Sequence, residues 1–576
     1  MSEKKSRKTT RRAKPPLVVV TGFMGTGKTE VGRQLAEILG LEFVDTDLLI
    51  EELEGMTVTG IFQTRGEEYF RAREEEICAK LSKRSGLVIA TGGGTLLNEK
   101  TFAAFSQTGQ IILLTASVDM ICTRIRESPL RPLLLEDKIE LPDDQFRERI
   151  LRILSEREPV YRRIRTRVDT TYLNPHEAAV RIASSINIPS RTINIRVPAG
   201  SIWARPSDTP QPKGRKSHTA LSTIEIGCGV LSKLGDRLKS LGLTSGAFLI
   251  VPNTIWELYL DQIAASLDAV SIPYEKIFIH DGDSEKTLEQ VSKVIEELAS
   301  HGAERDSVIV AMGGGVTGDI GGFAASTYMR GIPLVHVPTT LLAQVDSSIG
   351  GKVGVNHAWA KNLIGSFYQP LLVLTDPCLL RTLPIEEISS GMAEVVKTAI
   401  IGSPNLFDFI ERKLHEYPSD ELKQTSFLER CITECAAIKA SIVEKDPFDQ
   451  DERKILNLGH TLGHALEAVG EYFELSHGEA VSIGLVAAVR IAVSRGLVDE
   501  EFLRRTMTIL NRCGLPVTAP PYNEKSIAQS LHLDKKKQSG RFHFVLPVRI
   551  GSIMAARVVT DVSEAEMLAA LWKGAE

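Results

Sequence analysis

Residues 22–29 read GFMGTGKT and fit the pattern G-x-x-x-x-G-K-[ST], with Gly22, Gly27, Lys28 and Thr29 at the fixed positions. An apolar run, PLVVV, leads in, and a helical pattern, KTEVGRQLAEIL, leads out. In that setting the backbone N–H groups of Gly25, Thr26, Gly27, Lys28 and Thr29 face a nucleotide phosphate, and the helix start adds its dipole. Lys28 then bridges the β- and γ-phosphates, and Thr29 ligates Mg²⁺. FVDTDLLIE places Asp45 and Asp47 two apart at a strand end, projecting the same way. One carboxylate can hold the Mg²⁺ hydration sphere while the other meets a substrate hydroxyl. Arg71, Arg124, Arg131 and Arg162, with the glycine turn Gly92, Gly93 and Gly94, suit an anionic substrate and a closing lid.

A different chemistry begins near residue 308. AMGGGVTGDIGGFAASTYMRG follows the apolar run SVIV, and its glycines Gly313, Gly314 and Gly315 permit close approach of a dinucleotide pyrophosphate to a helix start. Asp346, Lys352, Lys361 and Asn362 are polar groups in a stretch otherwise suited to burial, where charged groups need partners. Glu394 and Lys397 lie three apart on one helical face, His460 and His464 four apart on another, and His477 follows. A glutamate with two histidines suits a catalytic zinc with an open position. Residue 461 is Thr, so the zinc-protease pattern H-E-x-x-H is broken. Zinc beside a nicotinamide points to oxidation of an alcohol. Lys352, Lys397, Lys439, Arg453 and the DKKK at 534–537 exceed what a neutral alcohol requires, and suit a substrate with a phosphate and a carboxylate.

The elements that must position these groups are legible in outline. The chain has 576 residues, too many for one core, and its 43% hydrophobic and 24% charged content is that of a globular protein. A net charge of −5 gives no overall basic field for nucleic acid. Seven scattered cysteines with no CxxC pair read as reduced thiols of a cytoplasmic protein. No apolar run approaches the ~18 residues of a membrane span. The first 16 residues are a basic flexible tail, with seven Lys/Arg among the first fourteen.

Residues 17–190 alternate apolar runs (LVVV, FVDT, LVIA, IILLT) with helical patterns, the grammar of an α/β domain with a parallel sheet. A second α/β part spans 191–375, with GAFLIVPN, KIFIHDGD, SVIVAMGGG, LVHVPTT and LLVLTD as strands. Within it, 198–222 reads as a loop or linker-like insertion, at the tip of a hairpin between RTINIRV and STIEIGCG. Residues 376–576 are mainly helical, with a late hairpin in RFHFVLPVRIGSIMAARVV.

Taken in order, the phosphate loop, DTD, FR, GGG, RPLL and YR make 17–190 resemble shikimate kinase. The resemblance implies that Asp47 binds the shikimate hydroxyls and helps deprotonate the attacking one. It also implies that Arg71 and Arg162 hold the carboxylate beside Gly92–Gly94, and that Asp45 supports Mg²⁺. Arg131 becomes the lid arginine near the transferring phosphoryl group, and Arg124 lies by the nucleotide. Gluconate kinase shares the loop but not this motif set.

The signatures GGGVTGD, STYMRG, PTTLLAQVDSSIGGK, KNLIGSF, GMAEVVK, NLGHTLGHALE and HGEAV make 191–576 resemble 3-dehydroquinate synthase. That family implies NAD⁺, Zn²⁺ (or Co²⁺) and 3-deoxy-D-arabino-heptulosonate 7-phosphate. By this resemblance Glu394, His460 and His477 are the metal ligands. Lys439, Arg453 and Asn457 face the substrate carboxylate. Lys352, Asn362, Lys397 and His464 face its phosphate, with Arg330 supplied across a homodimer interface. Asp346, Lys361, Thr339 and Thr340 belong near the nicotinamide or cofactor, Asp319 and Gly313–Gly315 near the NAD⁺ phosphates. The family's G-E-x-x-K ribose motif reads GDSEK here, leaving Asp283 in place of Glu and Lys286 retained. Catalytic roles fall to Lys28, Asp47 and Arg131 in one half, and to Lys352, Lys397 and His464 in the other.

The expectation is thus a fusion of two enzymes, with no nucleic acid or membrane partner. One phosphorylates shikimate at its 3-hydroxyl using ATP; the other converts the heptulosonate phosphate to 3-dehydroquinate and phosphate. Two alternatives stay open: a polyol dehydrogenase in the second half and a nucleotide-sensing module in the first.

Overall fold

The computed structural model describes residues 16–126, 142–188, 190–203, 219–416, 421–470, 474–533, 543–550 and 553–572. The chain divides into two units, Met1–Ser190 with Leu260–Ala269, and Arg191–Tyr259 with Val270–Glu576.

In the first unit all six residues of β1 (Leu17–Gly22) are buried. A strand apolar on both faces belongs inside a parallel sheet covered on both sides. With β2 (Glu42–Asp45), β3 (Leu87–Ala90), β4 (Gln110–Thr115) and β5 (Thr166–Asp169), it forms a parallel sheet in the order β2-β3-β1-β4-β5. β5 was not singled out in the sequence; TRVD is short, polar at three of its four positions and at an edge, so its pattern is weak. Three motifs leave the carboxyl ends of adjacent strands: the phosphate loop after β1, Asp45 and Asp47 at β2, and Gly92–Gly94 after β3. That end is where open α/β sheets bind ligands.

The second unit opens with β6 (Arg191–Pro198) paired antiparallel to β7 (Thr219–Ile226). The stretch expected as a loop to residue 222 therefore ends earlier. Ala220 faces Val197 and Ser222 faces Ile195 in a continuous ladder, because TALSTIEI satisfies its backbone along the edge of β6. There follow β8 (Ala247–Pro252), β9 (Tyr274–Ile279), β10 (Val308–Gly313), β11 (Leu334–Pro338), β12 (Lys352–His357), β13 (Ala360–Phe367) and β14 (Leu372–Thr375). The main sheet runs β6-β7-β14-β11-β10-β8-β9. β12 and β13 pair only with each other, as an antiparallel ribbon. This corrects the expectation of burial for its polar groups: Lys352 and Asn362 are exposed, because the ribbon stands off the sheet.

Beyond Thr375 the helices Ile385–Gly402, Thr425–Lys445, His460–Val469 and His477–Ser494 share one apolar core, closed by the hairpin β15 (Phe544–Ile550) and β16 (Ile553–Val559). His477–Ser494 is long and apolar enough to cross a membrane, but it is 78% buried within the fold and reads as a core helix.

Two glycines fix where this central helix lies. A Cβ on Gly478 would fall 2.3 Å from the backbone of Ser390, in the helix that carries Glu394. A Cβ on Gly484 would fall 2.0 Å from the Gly459 carbonyl oxygen, one residue before His460. Backbone cannot swing aside as a side chain can, so both contacts demand glycine. Gly484→Ala should therefore cost about 1–3 kcal/mol, the usual range for overpacking. Thermal unfolding followed by fluorescence should show a lowered transition for the second unit. An unchanged midpoint would mean that the helices tolerate separation.

Candidate active sites

In the first unit Lys28 is buried and curls back over its own loop, donating to the Phe23 carbonyl at 3.0 Å. Gly27 caps the helix Lys28–Leu39 in the left-handed region (φ 84°), which a side chain would strain. The Thr29 hydroxyl donates to Asp45 Oδ2 at 2.7 Å. The other oxygen of Asp45 caps the helix Thr46–Glu54, accepting from the Asp47 and Leu48 N–H groups. A hydroxyl and an oriented carboxylate side by side form the oxygen-rich corner that Mg²⁺ prefers. Arg124 donates to the Gly25 carbonyl at 3.4 Å and to the Thr170 carbonyl at 2.8 Å, so it lies against the phosphate loop.

Asp47 leans over the glycine turn, where a Cβ on Gly92 would meet its Oδ1 at 2.6 Å. The Gly92 N–H donates to Thr46, locking that turn to the strand-end acids. Arg71 flanks Gly94, held by Glu74 at 2.8 Å and Glu67 at 3.2 Å. Glu74 is buried and also accepts from Thr95 at 2.6 Å.

The second arginine of this cluster is not Arg162. That side chain is exposed and pairs with Glu158 at 2.9 Å on the last turn of its helix. Arg157, five residues earlier, is buried, donates to the Gly93 carbonyl at 2.7 Å and lies over the Phe23 ring. Sequence reading missed Arg157 and Glu74. The signal available was periodicity: Ile150, Ile153, Leu154 and Arg157 fall on one face of the helix Asp143–Tyr161, whereas Arg162 stands at its end. Arg131 lies outside the described residues.

In the second unit Gly313 ends β10 and Gly314 begins the helix Gly315–Thr327. Thr340 and Ser347 abut Gly314 and Gly315, and the Thr339 N–H donates to Gly313. Among the described residues the buried hydroxyls of Thr317 and Ser347 have no hydrogen-bond partner, so a polar ligand at this helix start could supply one. Lys286 is buried against Asp319 and also reaches the Asn362 side-chain carbonyl. Lys361 pairs with Asp283 at 2.8 Å. The ribbon is tied to this turn by Asn356, whose N–H donates to the Lys286 carbonyl and whose side chain donates to the Asp283 carbonyl. Asn362 thus stands beside Lys286 of this turn, on the same ribbon as Lys352.

Glu394 is fully buried, and among the described residues neither of its oxygens accepts a well-formed hydrogen bond. His460 Nε2 and His477 Nε2 face its Oε1 at 3.3 and 3.4 Å, and Lys397 touches its Oε2. The three ligand atoms lie within 4.8 Å of one another. This donor set fits a divalent ion with a remaining open position. Although burial opposes protonation of His477, the carboxylates of Glu394 and Glu467 raise its pKa to about 9.

Lys397 also faces Asp346 at 4.0 Å, and Lys439 donates to Asp346 at 2.6 Å. Burial disfavours the Asp346 anion, yet Lys439 and Lys397 hold its pKa at about 2. Burial draws Lys439 down to about 8 despite that partner. Arg453 is buried and donates to the Gly350 carbonyl at 2.8 Å. Lys352 pairs with Asp449. His464 packs edge-on against His460, ring centres 5.3 Å apart. Lys397 therefore lies between Glu394 and Asp346, while Lys352 contacts Asp449. Asn457 ends the short turn Glu452–Asn457 just before His460, and Arg330 is exposed on a turn where Met329 and Arg330 both have positive φ. The DKKK stretch lies outside the described residues. Glu467, missed in the sequence, is taken up below.

Comparison with known proteins places both units. Residues 24–187 match the family described as shikimate kinase, residues 276–390 the 3-dehydroquinate synthase N-terminal family and residues 391–537 its C-terminal counterpart. The chain is 40% identical over 349 residues to the 3-dehydroquinate synthase of Desulforamulus reducens, covering 60% of this chain and 96% of that one. A solved structure of 2-epi-5-epi-valiolone synthase from Streptomyces hygroscopicus, with NAD⁺ and Zn²⁺ bound, is 30% identical with a TM-score of 0.56, covering 60% of this chain and 95% of that one. Shikimate kinase from Acinetobacter baumannii, in complex with shikimate, is 33% identical, covering 30% of this chain and 92% of that one, with a TM-score of 0.28. With a phosphate loop facing an acidic and arginine-lined turn in one unit, and a buried Glu–His–His set beside a glycine-rich helix start in the other, the chain belongs to the 3-dehydroquinate synthase family and carries a shikimate kinase ahead of it.

Proposed function

We propose that each unit carries out its own step, with residue roles as follows. The arrangement that carries this reading is the convergence of Asp47, Arg71 and Arg157 on Gly92–Gly94 in the first unit, and in the second the chain of contacts from Glu394 through Lys397 to Asp346 and Lys439.

In the kinase, Lys28 and the backbone of the phosphate loop bind the ATP phosphates, with Arg124 alongside. Thr29 and Asp45 would hold Mg²⁺, which neutralises charge on the β- and γ-phosphates. Asp47 orients the shikimate 3-hydroxyl and takes its proton as the oxygen attacks. Arg71 and Arg157 grip the carboxylate, a task for planar guanidinium groups that a lysine does poorly. Their own partners, Glu74 and the Gly93 carbonyl, fix them before substrate arrives.

In the synthase, Glu394, His460 and His477 would hold a divalent ion, zinc or cobalt, and the glycine-rich helix start would hold NAD⁺ with Asp283, Lys286, Asp319 and Lys361. Together these supply a Lewis acid for a hydroxyl and a hydride acceptor that is regenerated within the cycle. Lys397 lies where it can stabilise charge on the reacting oxygen. Lys439, Arg453 and Asn457 favour the substrate carboxylate, and Lys352 with His464 its phosphate. The exposed turn at Met329–Arg330 supports donation of Arg330 to a second copy of the chain.

Three outcomes test these assignments. Asp47→Asn should cut kinase turnover by about 10²–10⁴-fold, the usual worth of general base catalysis, without weakening ATP binding. Arg157→Ala should raise the KM for shikimate by about 10–100-fold, as loss of a charge-assisted bond does, whereas Arg162→Ala should leave it nearly unchanged. The reverse pattern in steady-state kinetics would restore Arg162 to the site. His460→Ala should abolish NAD⁺-dependent phosphate release from 3-deoxy-D-arabino-heptulosonate 7-phosphate while shikimate phosphorylation continues. Steady NADH accumulation by the unaltered chain would instead favour a dehydrogenase.

A further inference from the structure

Glu467 has no part in the assignments above, yet it is buried within the metal region. It sits one helical turn past His464 on His460–Val469, and only 5% of its surface is exposed. Its Oε1 lies 3.5 Å from Nδ1 of His477 and 3.7 Å from Nζ of Lys361. His477 turns its other nitrogen, Nε2, toward Glu394 at 3.4 Å. Lys361 turns toward Asp283 at 2.8 Å. One carboxylate therefore stands between the metal donor set and the ribbon that reaches the dinucleotide turn.

The chemistry of a carboxylate decides what this contact does. Ionised, it only accepts, so it favours the His477 tautomer with hydrogen on Nδ1 and a free lone pair on Nε2. That is the form needed to ligate through Nε2. The carboxylate also raises the ring's basicity and fixes its plane. Its second contact, to the Lys361 ammonium, offsets part of the cost of burying it and holds it in place.

Resting on the metal reading above, we propose that Glu467 is a positioning residue that orients His477 for the ion and couples that ion to the Lys361 ribbon. A competing arrangement uses the same atoms. His464, Glu467 and His477 also place one ligand atom each within 4.8 Å of one another, so Glu467 could itself bind a second ion. The positioning role is favoured because the Lys361 ammonium lies on the same oxygen that faces His477. A cation there would repel that ammonium.

The experiment is a double-mutant cycle on zinc affinity in the full chain, measured by competition with a chelating dye in the absence of nucleotide. Cobalt-substituted absorption spectra report the ligand geometry. Glu467→Gln preserves shape and one acceptor oxygen but removes the charge. It should weaken zinc binding by about 10–100-fold, typical for loss of a carboxylate behind a ligating histidine, and alter the cobalt spectrum. Lys361→Met should weaken zinc less, and should have no further effect in the Glu467→Gln background. Thermal unfolding of the metal-free proteins separates this from misfolding: the variants should unfold near the parent's midpoint but gain less on adding zinc.

Zinc affinity in Glu467→Gln within twofold of the parent would overturn the proposal, as would fully additive effects of the two substitutions. Two ions bound by the second unit, with one lost in Glu467→Gln, would make Glu467 a ligand and overturn it too. A parent chain that binds no zinc would overturn the metal reading itself, and this inference with it.

Discussion

A carboxylate with no exposed surface, Glu394, stands at the meeting point of three helices, and much of the second unit can be understood as what that anion requires. Burying an isolated charge costs several kcal/mol even after the protein relaxes around it. Here the cost is offset locally by Lys397 one turn along and by two imidazoles from separate helices. None of these partners is worth much if it can drift. The backbone contacts at Gly478 and Gly484 prevent drift by fixing the helix of His477 against those of Glu394 and His460. Lys397 and Lys439 then hold Asp346 ionised, which extends one buried charge into a network.

That network explains which parts of the site were legible in the sequence. Motifs whose function depends on local backbone geometry could be read directly: the phosphate loop, the Asp45–Asp47 pair, the glycine turn after β10. Residue type and helical spacing offered Glu394, His460, His464 and His477 as metal candidates, and the family resemblance picked Glu394, His460 and His477, which the fold brings together. The contacts among Lys397, Lys439 and Asp346 could not be read this way, because these residues lie 42 to 93 positions apart and only packing brings them together. Arg162 illustrates the same limit at short range. The choice between Arg157 and Arg162 depends on which helix face is buried, and the motif, read without its helix, pointed to the exposed one. The ribbon β12–β13 was missed because GKVGVNHAWAKNLIGSF carries too many polar residues and glycines for a strong strand signal.

The kinase manages charge differently. Arg71 is half-buried and Arg157 buried, and each is held by a nearby acceptor before any substrate binds: Arg71 by Glu67 and Glu74, Arg157 by a peptide carbonyl. A neutral carbonyl leaves the charge of Arg157 available, while Glu74 competes with an incoming carboxylate for Arg71. Buried Glu74 also accepts from Thr95 on the glycine turn. The acid thus positions both the arginine and the turn, at the expense of some affinity.

Both units place glycines where a parallel strand gives way to a helix, a geometry suited to an anion. They diverge at the reacting end. Phosphoryl transfer needs groups that can meet and release a bulky charged nucleotide, and strand-end loops serve that need because their side chains remain accessible. An alcohol oxidation assisted by a metal needs an anionic ligand kept from water. A loop cannot bury such a ligand without stranding its own peptide groups, whereas a helix satisfies its backbone internally and leaves the side chain free to sit in an apolar core. The predominance of helices after residue 376, broken only by the hairpin β15–β16 among the described residues, agrees with that requirement. Helices are the elements that can carry Glu394, His460 and His477 into the same dry volume.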